Sequence, residues 1–417
     1  MSHKTGVTPR LQHVTMFKAE SNVGHKICRP ADLAINTMWA FMGALGVSRQ
    51  LGVVSPAYGV YRPTNEGELE PRYVDHLLRT DVYKSEYLCR STGIRSSRLR
   101  LYPEQFLRIP ILCPPPEEQA AILRFLDHAD RRIRRYVRSK RKLIALLNEQ
   151  KQAIIHRAVT RGLDPHVKLK PSGVEWLGDV PEHWDVVPSR AMFMHRNEKA
   201  GPDDEILTAS QTHGVVSRKE FMAKEGRRVM QVISGREILK RVEENDFVIS
   251  MRSFEGGLEW SRIQGAISSA YVMLKPTHLV QPRYFARLLK TRAYISALRR
   301  TSDLVRDGQA LRYANFLQVP LPRVPLREQV AIADFLDNEG LALDRAIRKA
   351  QDELRLMQDY RTRLIADVVT GKLDVRKAAA ALPNELEAAE PDAEELLDEG
   401  EVEDDAELDT ESEESEA

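Results

Sequence analysis

Apolar positions along this chain fall into two long stripes, at alternating steps of three and four residues. Ile122, Leu126, Ala129, Ile133, Tyr136, Leu143, Leu147 and Ile154 form the first. Ile332, Leu336, Leu343, Ala346, Ala350, Met357, Tyr360 and Leu364 form the second. Such a stripe is a coiled-coil seam, too narrow for a helix buried on every side. Lys140, Gln150, Glu339 and Glu353 interrupt it, which predicts an imperfect pairing. Each helix should cover about 40 residues and hence ~60 Å. Pro114-Pro115-Pro116 and Pro325 keep the chain from being helical any earlier, and Gly162 with Pro165 stops the first helix.

The two stripes belong to a repeat. Pro-Glu-Glu-Gln-Ala-Ala-Ile-Leu-Arg-Phe-Leu-Asp at 116–127 is echoed by Arg-Glu-Gln-Val-Ala-Ile-Ala-Asp-Phe-Leu-Asp at 327–337. A shift of 210 positions lays Ile109–Asp164 on Val319–Asp374 without a gap, with 17 of 56 positions identical. A duplicated helix of this kind packs most naturally on its own copy, antiparallel, as a rigid spacer.

Each helix follows a globule, and the globules repeat more weakly. Asp32–Met38 matches Asp246–Arg252 and predicts a strand; Gly52–Tyr58 matches Gly265–Tyr271; Pro71–Thr80 matches Pro282–Thr291. Gly43–Gly52 reads as loop, Gly52–Tyr61 as a strand pair, Tyr73–Tyr87 as one helix and Ile109–Leu112 as a short strand. The segment 173–184, with Trp176 and Trp184 among Gly and Pro, reads as a linker pinned by aromatic anchors. About 60 residues precede Asp246 in the second globule but only 31 precede Asp32, so the first globule is expected to lack an opening piece.

Composition changes the picture at one point. The formal net charge is +1, yet residues 385–416 hold 18 acidic side chains and no Lys or Arg. The remaining chain has 62 basic residues against 43 acidic, the balance of a nucleic-acid binder. The acidic tail is expected to be disordered, serving solubility or competing with nucleic acid for basic surface. No apolar run approaches a membrane span, and Cys28, Cys89 and Cys113 have no metal or redox spacing, which points to a cytoplasmic protein.

Catalytic signatures are missing. There is no phosphate-binding Gly-rich loop with Lys-Ser/Thr, no dinucleotide fingerprint, and no His/Cys set with metal spacing. His183 reads as a packed loop residue and Asp203-Asp204-Glu205 as a solvated turn. Side chains suited to groove contact sit at matching places in both globules: Asn36, Trp39, Arg49, Arg95 and Arg98 in the first; Arg252, Ser253, Trp260, Arg306, Gln309 and Arg312 in the second. Arg can bond guanine or phosphate, and Asn or Gln can pair with adenine. In the basic run Arg131–Lys142 the charges around Ile133 and Val137 lie outside the seam and fit either a phosphate track or a solvated helix face.

Pro-Pro-Glu-Glu-Gln-x-x-Ile-x-x-Phe-Leu-Asp at 115–127 with its echo at 325–337, the helix ends Ala158–Asp164 and Val368–Asp374, and Gly-x-Glu-Trp-Leu-Gly-x-x-Pro-Glu-His-Trp at 173–184 resemble the specificity subunits of type I restriction–modification systems. The likeness covers residues 14–376. It implies an α+β chain: two target-recognition globules separated by two long antiparallel coiled-coil helices. On this reading residues 1–110 are the first recognition domain, 111–163 the first spacer helix and 164–184 a linker. Residues 185–320 are the second recognition domain, 321–374 the second spacer helix and 375–417 the tail. It also implies a non-catalytic subunit that reads a bipartite double-stranded DNA site. The seam residues Ile122, Leu126, Ile133, Leu147, Ile154, Ile332, Leu336, Leu343, Met357 and Leu364 would serve the coiled coil and partner docking. S-adenosylmethionine, ATP and magnesium would be brought by the modification and restriction subunits. A coiled-coil scaffold without DNA binding, or an inactive shortened relative, stays open as the alternative.

Overall fold

The computed structural model describes residues 6–9, 23–65, 67–93, 99–226, 236–250, 253–301 and 312–383. The acidic segment and the sites Arg95, Arg98, Arg252, Arg306 and Gln309 lie outside the described residues. Two compact units form, Met1–Arg138 with Arg355–Ala417, and Ser139–Leu354.

The first unit opens with strands β1 (Lys26–Cys28), β2 (Leu33–Asn36), β3 (Leu45–Val47), β4 (Gly52–Val54) and β5 (Tyr58–Tyr61). β2 is central in a three-stranded antiparallel sheet of order β3-β2-β5, and β1 pairs with β4 as a separate ribbon. Thus Gly43–Gly52 contains a strand, and the pair foreseen over 52–61 splits, each strand finding a different partner. Helices α1 (Pro71–Leu78) and α2 (Asp81–Arg90) replace the single helix expected over Tyr73–Tyr87. The break is at Thr80, extended at ψ 156°, whose hydroxyl donates to the Leu77 carbonyl. After α3 (Pro103–Phe106) the backbone of 110–115 is irregular, not the short strand expected. Its polar groups are held by side chains instead. Tyr83 accepts from Leu112 N–H (3.2 Å) and donates to Pro110 C=O (3.1 Å), and Tyr73 donates to Leu112 C=O (3.3 Å). Helix α4 (Pro116–Arg161) then begins.

The second unit takes the rest of α4 and adds β6 (Leu169–Pro171), β7 (Asp179–Pro181), β8 (Asp185–Val187), β9 (Phe193–Arg196), β10 (Leu207–Ser210) and β11 (Gly214–Ser217). Next come α5 (Arg218–Glu225), β12 (Lys240–Val242), β13 (Phe247–Ile249), α6 (Ser253–Gly256), β14 (Glu259–Trp260), β15 (Gly265–Ile267) and β16 (Val272–Pro276). Helices α7 (Pro282–Leu288), α8 (Arg292–Arg300) and α9 (Tyr313–Leu317), strand β17 (Leu321–Arg323) and helix α10 (Leu326–Val369) follow. Its main sheet has the order β14-β13-β16-β9. The segment 173–184 is more than a linker: it contains β7, which pairs with β6 just before it, and Trp184 is wholly buried in the unit's core.

The C-terminal part of α10 and helix α11 (Arg376–Ala380) complete the first unit. In each unit the two long helices run antiparallel. Ile122, Leu123 and Leu126 share a core with Val368 and Val369 in the first unit, and Asp130 meets Arg361 at 2.6 Å. In the second, Lys140 meets Glu353 at 2.6 Å and Lys151 meets Asp344 at 2.5 Å. The seam interruptions Lys140 and Glu353 are therefore partners. Ile122, Leu126, Ile133, Ile332 and Leu336 are buried, while Leu147, Ile154, Leu343, Met357 and Leu364 are half-buried. Leu143 and Tyr360 stay exposed, because a pair of helices alone shields only a thin strip.

The repeated Glu-Gln pair explains how each helix start is fixed. Gln119 accepts from Glu70 N–H (2.8 Å) and donates to the carbonyls of Glu68 and Pro114 (2.8 Å each). Gln329 accepts from Gln281 N–H (2.8 Å) and donates to Leu279 (2.9 Å) and Val324 (2.8 Å). Both are fully buried, and each ties the residue before α1 or α7 to the first turn of a long helix. Tyr73 shares its one hydroxyl hydrogen between Leu112 C=O and the closer Val369 C=O in the first unit, and Tyr284 donates to Val159 C=O in the second, so the end of a long helix is held by an equivalent tyrosine in both.

Candidate nucleic-acid interface

One local structure is built twice. Ala31 and Asn245 both have positive φ, 69° and 72°. Each is followed by a buried aspartate, Asp32 or Asp246, and each turn is closed by a buried serine. Ala31 N–H donates to Ser48 C=O and Ser48 N–H to Asp32 C=O; Asn245 N–H donates to Ser261 C=O and Ser261 N–H to Asp246 C=O. The serine hydroxyls then donate forward, Ser48 to Gln50 C=O at 2.7 Å and Ser261 to Ile263 C=O at 2.6 Å. The residue held between is an exposed arginine in both cases, Arg49 and Arg262. Sequence reasoning found Arg49 and missed Arg262. The signal was the Ser-Arg dipeptide that follows the matched strands at 48–49 and 261–262.

The buried aspartates are neutralised differently. Asp32 takes a two-pronged ion pair from Arg62 (2.7 and 2.8 Å), which holds its carboxyl below the usual range. Asp246 is paired with Arg196 of β9 at 2.6 Å; burial pushes its carboxyl up, and Arg196 opposes that. No strand equivalent to β9 is present among the described residues of the first unit.

The expected groove residues separate into two ends of each sheet. In the first unit Asn36 ends β2, where its side chain accepts from Met38 N–H (3.1 Å), and Trp39 follows in the turn, 39% exposed. Val47 pairs with Leu33 at the other end of β2, so Arg49 lies away from Asn36 and Trp39. In the second unit Trp260 pairs with Phe247 at the start of β13, whereas Ser253 comes after its end. The Trp260 indole donates to Asn245 (3.2 Å), and the Arg262 guanidinium stands 4.8 Å above it. Ser253 is buried and accepts from Ser250 N–H at 2.8 Å, which ties it into the start of α6. Arg312 is exposed at the start of α9, its N–H donating to Asn315 (2.9 Å).

The second unit carries an element not foreseen from the sequence, the β10–β11 hairpin, with Gln211 and Thr212 exposed in its turn. It covers the ribbon β12–β15 through a bridge from Ile206 to Ala266. Behind the hairpin, Glu259 is buried against Lys290 at 2.6 Å. Gly257 permits the adjacent turn, since a Cβ there would stand 2.4 Å from Leu289 C=O at φ +79°. In the first unit no described element covers the matching ribbon β1–β4, and among the described residues Ile27 is 60% and Val53 52% exposed. A cleft of about 270 Å³ runs beside Lys151, Ile154, Arg262, Arg287, Leu336 and Asp344 in the second unit. Among the described residues no three His, Cys, Asp or Glu side chains gather as a metal site, and no helix is long and apolar enough to cross a membrane.

No family model and no curated protein sequence matches this chain. Solved structures do. A chain from a study of complex assembly and conformational transition of the type I R-M system is 15% identical, with 84% of each chain covered and a TM-score of 0.60. The chain shares its fold with that chain of a type I R-M system. The HsdS subunit from Thermoanaerobacter tengcongensis is 17% identical over 84% of this chain and 83% of that one, at a TM-score of 0.44. The S subunit from M. genitalium is 11% identical over 82% and 84%, at 0.32. These last two superpose too loosely to carry an argument.

Proposed function

We propose that this chain is the DNA-reading subunit of a type I restriction–modification complex. Each unit reads one half of a bipartite duplex site. The chain performs no chemistry itself; modification subunits bring S-adenosylmethionine to methylate adenine, and restriction subunits bring ATP and magnesium. Partnership with those subunits is carried over from the likeness to a chain of the type I R-M system. The observation that carries the reading is the turn built twice, which holds Arg49 and Arg262 on the same backbone frame. Two equivalent cations on equivalent frames suit two equivalent stretches of phosphate backbone, which position a reader, while the differing loops read bases.

The test is co-expression with its modification subunit in a methylation-free host, followed by genome-wide mapping of methyladenine. Two short half-sites around a fixed gap are expected. Arg49→Ala and Arg262→Ala should each weaken binding of a duplex carrying the site and lower the salt slope by about one. Absence of methylation from a soluble, co-purified complex would reject the reading in favour of a scaffold.

A further inference from the structure

The structure places the starting point of the acidic segment beyond Pro383. Arg124 on α4 donates to the carbonyls of Leu382 (2.6 Å) and Pro383 (3.3 Å). Val375 and Ala379 are buried below, so the chain is anchored up to this exit. From Arg124, residues 131, 135 and 138 follow at seven, eleven and fourteen positions. These steps are close to two, three and four helical turns. All are arginines, and they form one row with Arg124 along ~21 Å of helix. The row lies about half a turn away from Ile122, Leu126 and Ile133, which face the seam. Arg131 and Arg135 are exposed and Arg138 half-buried.

We propose that the acidic segment 385–416 docks on the row Arg131, Arg135 and Arg138 and shields it from other polyanions. Three features favour this occupant. The segment leaves the fold at the head of the row. It carries 18 carboxylates and no Lys or Arg against a row of one sign. Its 32 residues reach roughly 110 Å when extended, several times the row's length. Docking of this kind is electrostatic and weakens with salt. It does not depend on the DNA-reading function.

A fluorescein-labelled peptide of residues 384–417 provides the probe. It is titrated against the full chain and against a full-length variant in which the 18 acidic side chains are replaced by their amides. The neutral-tail chain should bind the peptide in 50 mM salt and release it at high salt. The unmodified chain should bind at least about tenfold more weakly, because its own tethered segment competes at high effective concentration. R131Q/R135Q/R138Q in the neutral-tail chain should lose about tenfold as well. Circular dichroism shows whether that variant is folded; if it is not, the comparison of the two tails still decides. Equal affinity for the two tails, an undiminished affinity in the folded triple variant, or no binding at all would overturn the proposal. A random-sequence duplex that needs the row while the peptide does not would also overturn it, and assign the row to nucleic acid.

Discussion

Replacing Gln329 by alanine should unravel the junction between α7 and α10. The side chain is fully buried and makes three hydrogen bonds of 2.8–2.9 Å to backbone groups of Gln281, Leu279 and Val324. Its amide orientation follows from those partners. A flipped amide would aim its oxygen at two carbonyls and its NH2 group at an N–H. Alanine leaves one donor and two acceptors in a buried place. An orphaned buried group costs about 1–3 kcal/mol, and some relaxation is available, so a loss of ~3–5 kcal/mol is expected. Gln281 adds to this, because its own side chain accepts from Tyr284 N–H (2.9 Å) at the start of α7. Total domain stabilities are about 5–15 kcal/mol, so the variant should be marginal. Hydrogen exchange followed by mass spectrometry reads the effect locally, as faster exchange over 279–289 with 68–78 unchanged. Gln119→Ala should reverse the pattern with a similar magnitude. Gln329→Glu should also be destabilised at pH 7, since an ionised carboxylate would face two carbonyls. That deficit should shrink as pH falls and the carboxyl takes up a proton. A Gln329→Ala variant within about 1 kcal/mol of the parent would refute the reasoning.

Other expectations follow from single contacts. Ala31 sits at φ 69° where its counterpart is Asn245, so Ala31→Gly should stabilise the first unit by about 0.5–1 kcal/mol in urea melts. Burial holds the His76 imidazole below its ordinary pKa, and His156 and His195 are shifted the same way for the same reason. The unfolded chain then binds protons more readily below pH 6.5, so stability should fall as the solution is acidified through that region; His76→Phe should flatten part of the decline. Trp184 donates to Glu328 at 3.0 Å, so Glu328→Leu should cost about 1–3 kcal/mol in thermal unfolding and Glu328→Gln, which keeps an acceptor, much less.

The α+β character, the paired long helices and their repetition were legible because periodicity and gap-free register are written in residue spacing. What was not legible depends on contacts distant in sequence. Ile109–Leu112 has the composition of a strand, yet two tyrosine hydroxyls from the helices α1 and α2 take its backbone groups. The helix break at Thr80 was readable in principle, since Thr followed by Asp is a helix-start signal. A continuous apolar periodicity over 73–87 outweighed it. Ser253 was chosen by residue type, and only the fold shows it buried beneath the α6 turn. The β10–β11 hairpin escaped notice because its short strands have no counterpart among the described residues of the first unit.

That difference bears on how the first unit can stand with fewer strands among its described residues. A buried aspartate left without its cation would cost several kcal/mol, and in the second unit the cation comes from β9. In the first unit Arg62, directly after β5, approaches Asp32 from within the three-stranded sheet. Tyr83 and Tyr73 likewise satisfy the 110–112 backbone, where the second unit instead pairs β17 with β8. Both substitutions act on the groups whose partners differ, and they leave the Ser48–Arg49 turn with the same hydrogen bonds as Ser261–Arg262. If this local compensation is what maintains the turn, Arg62→Leu should expose the Asp32 charge and loosen it. Arg49 would then lose its fixed position, and the double variant Arg62→Leu/Arg49→Ala should bind duplex DNA no more weakly than Arg62→Leu alone. Additive losses measured by anisotropy would show that the turn holds its shape without the ion pair.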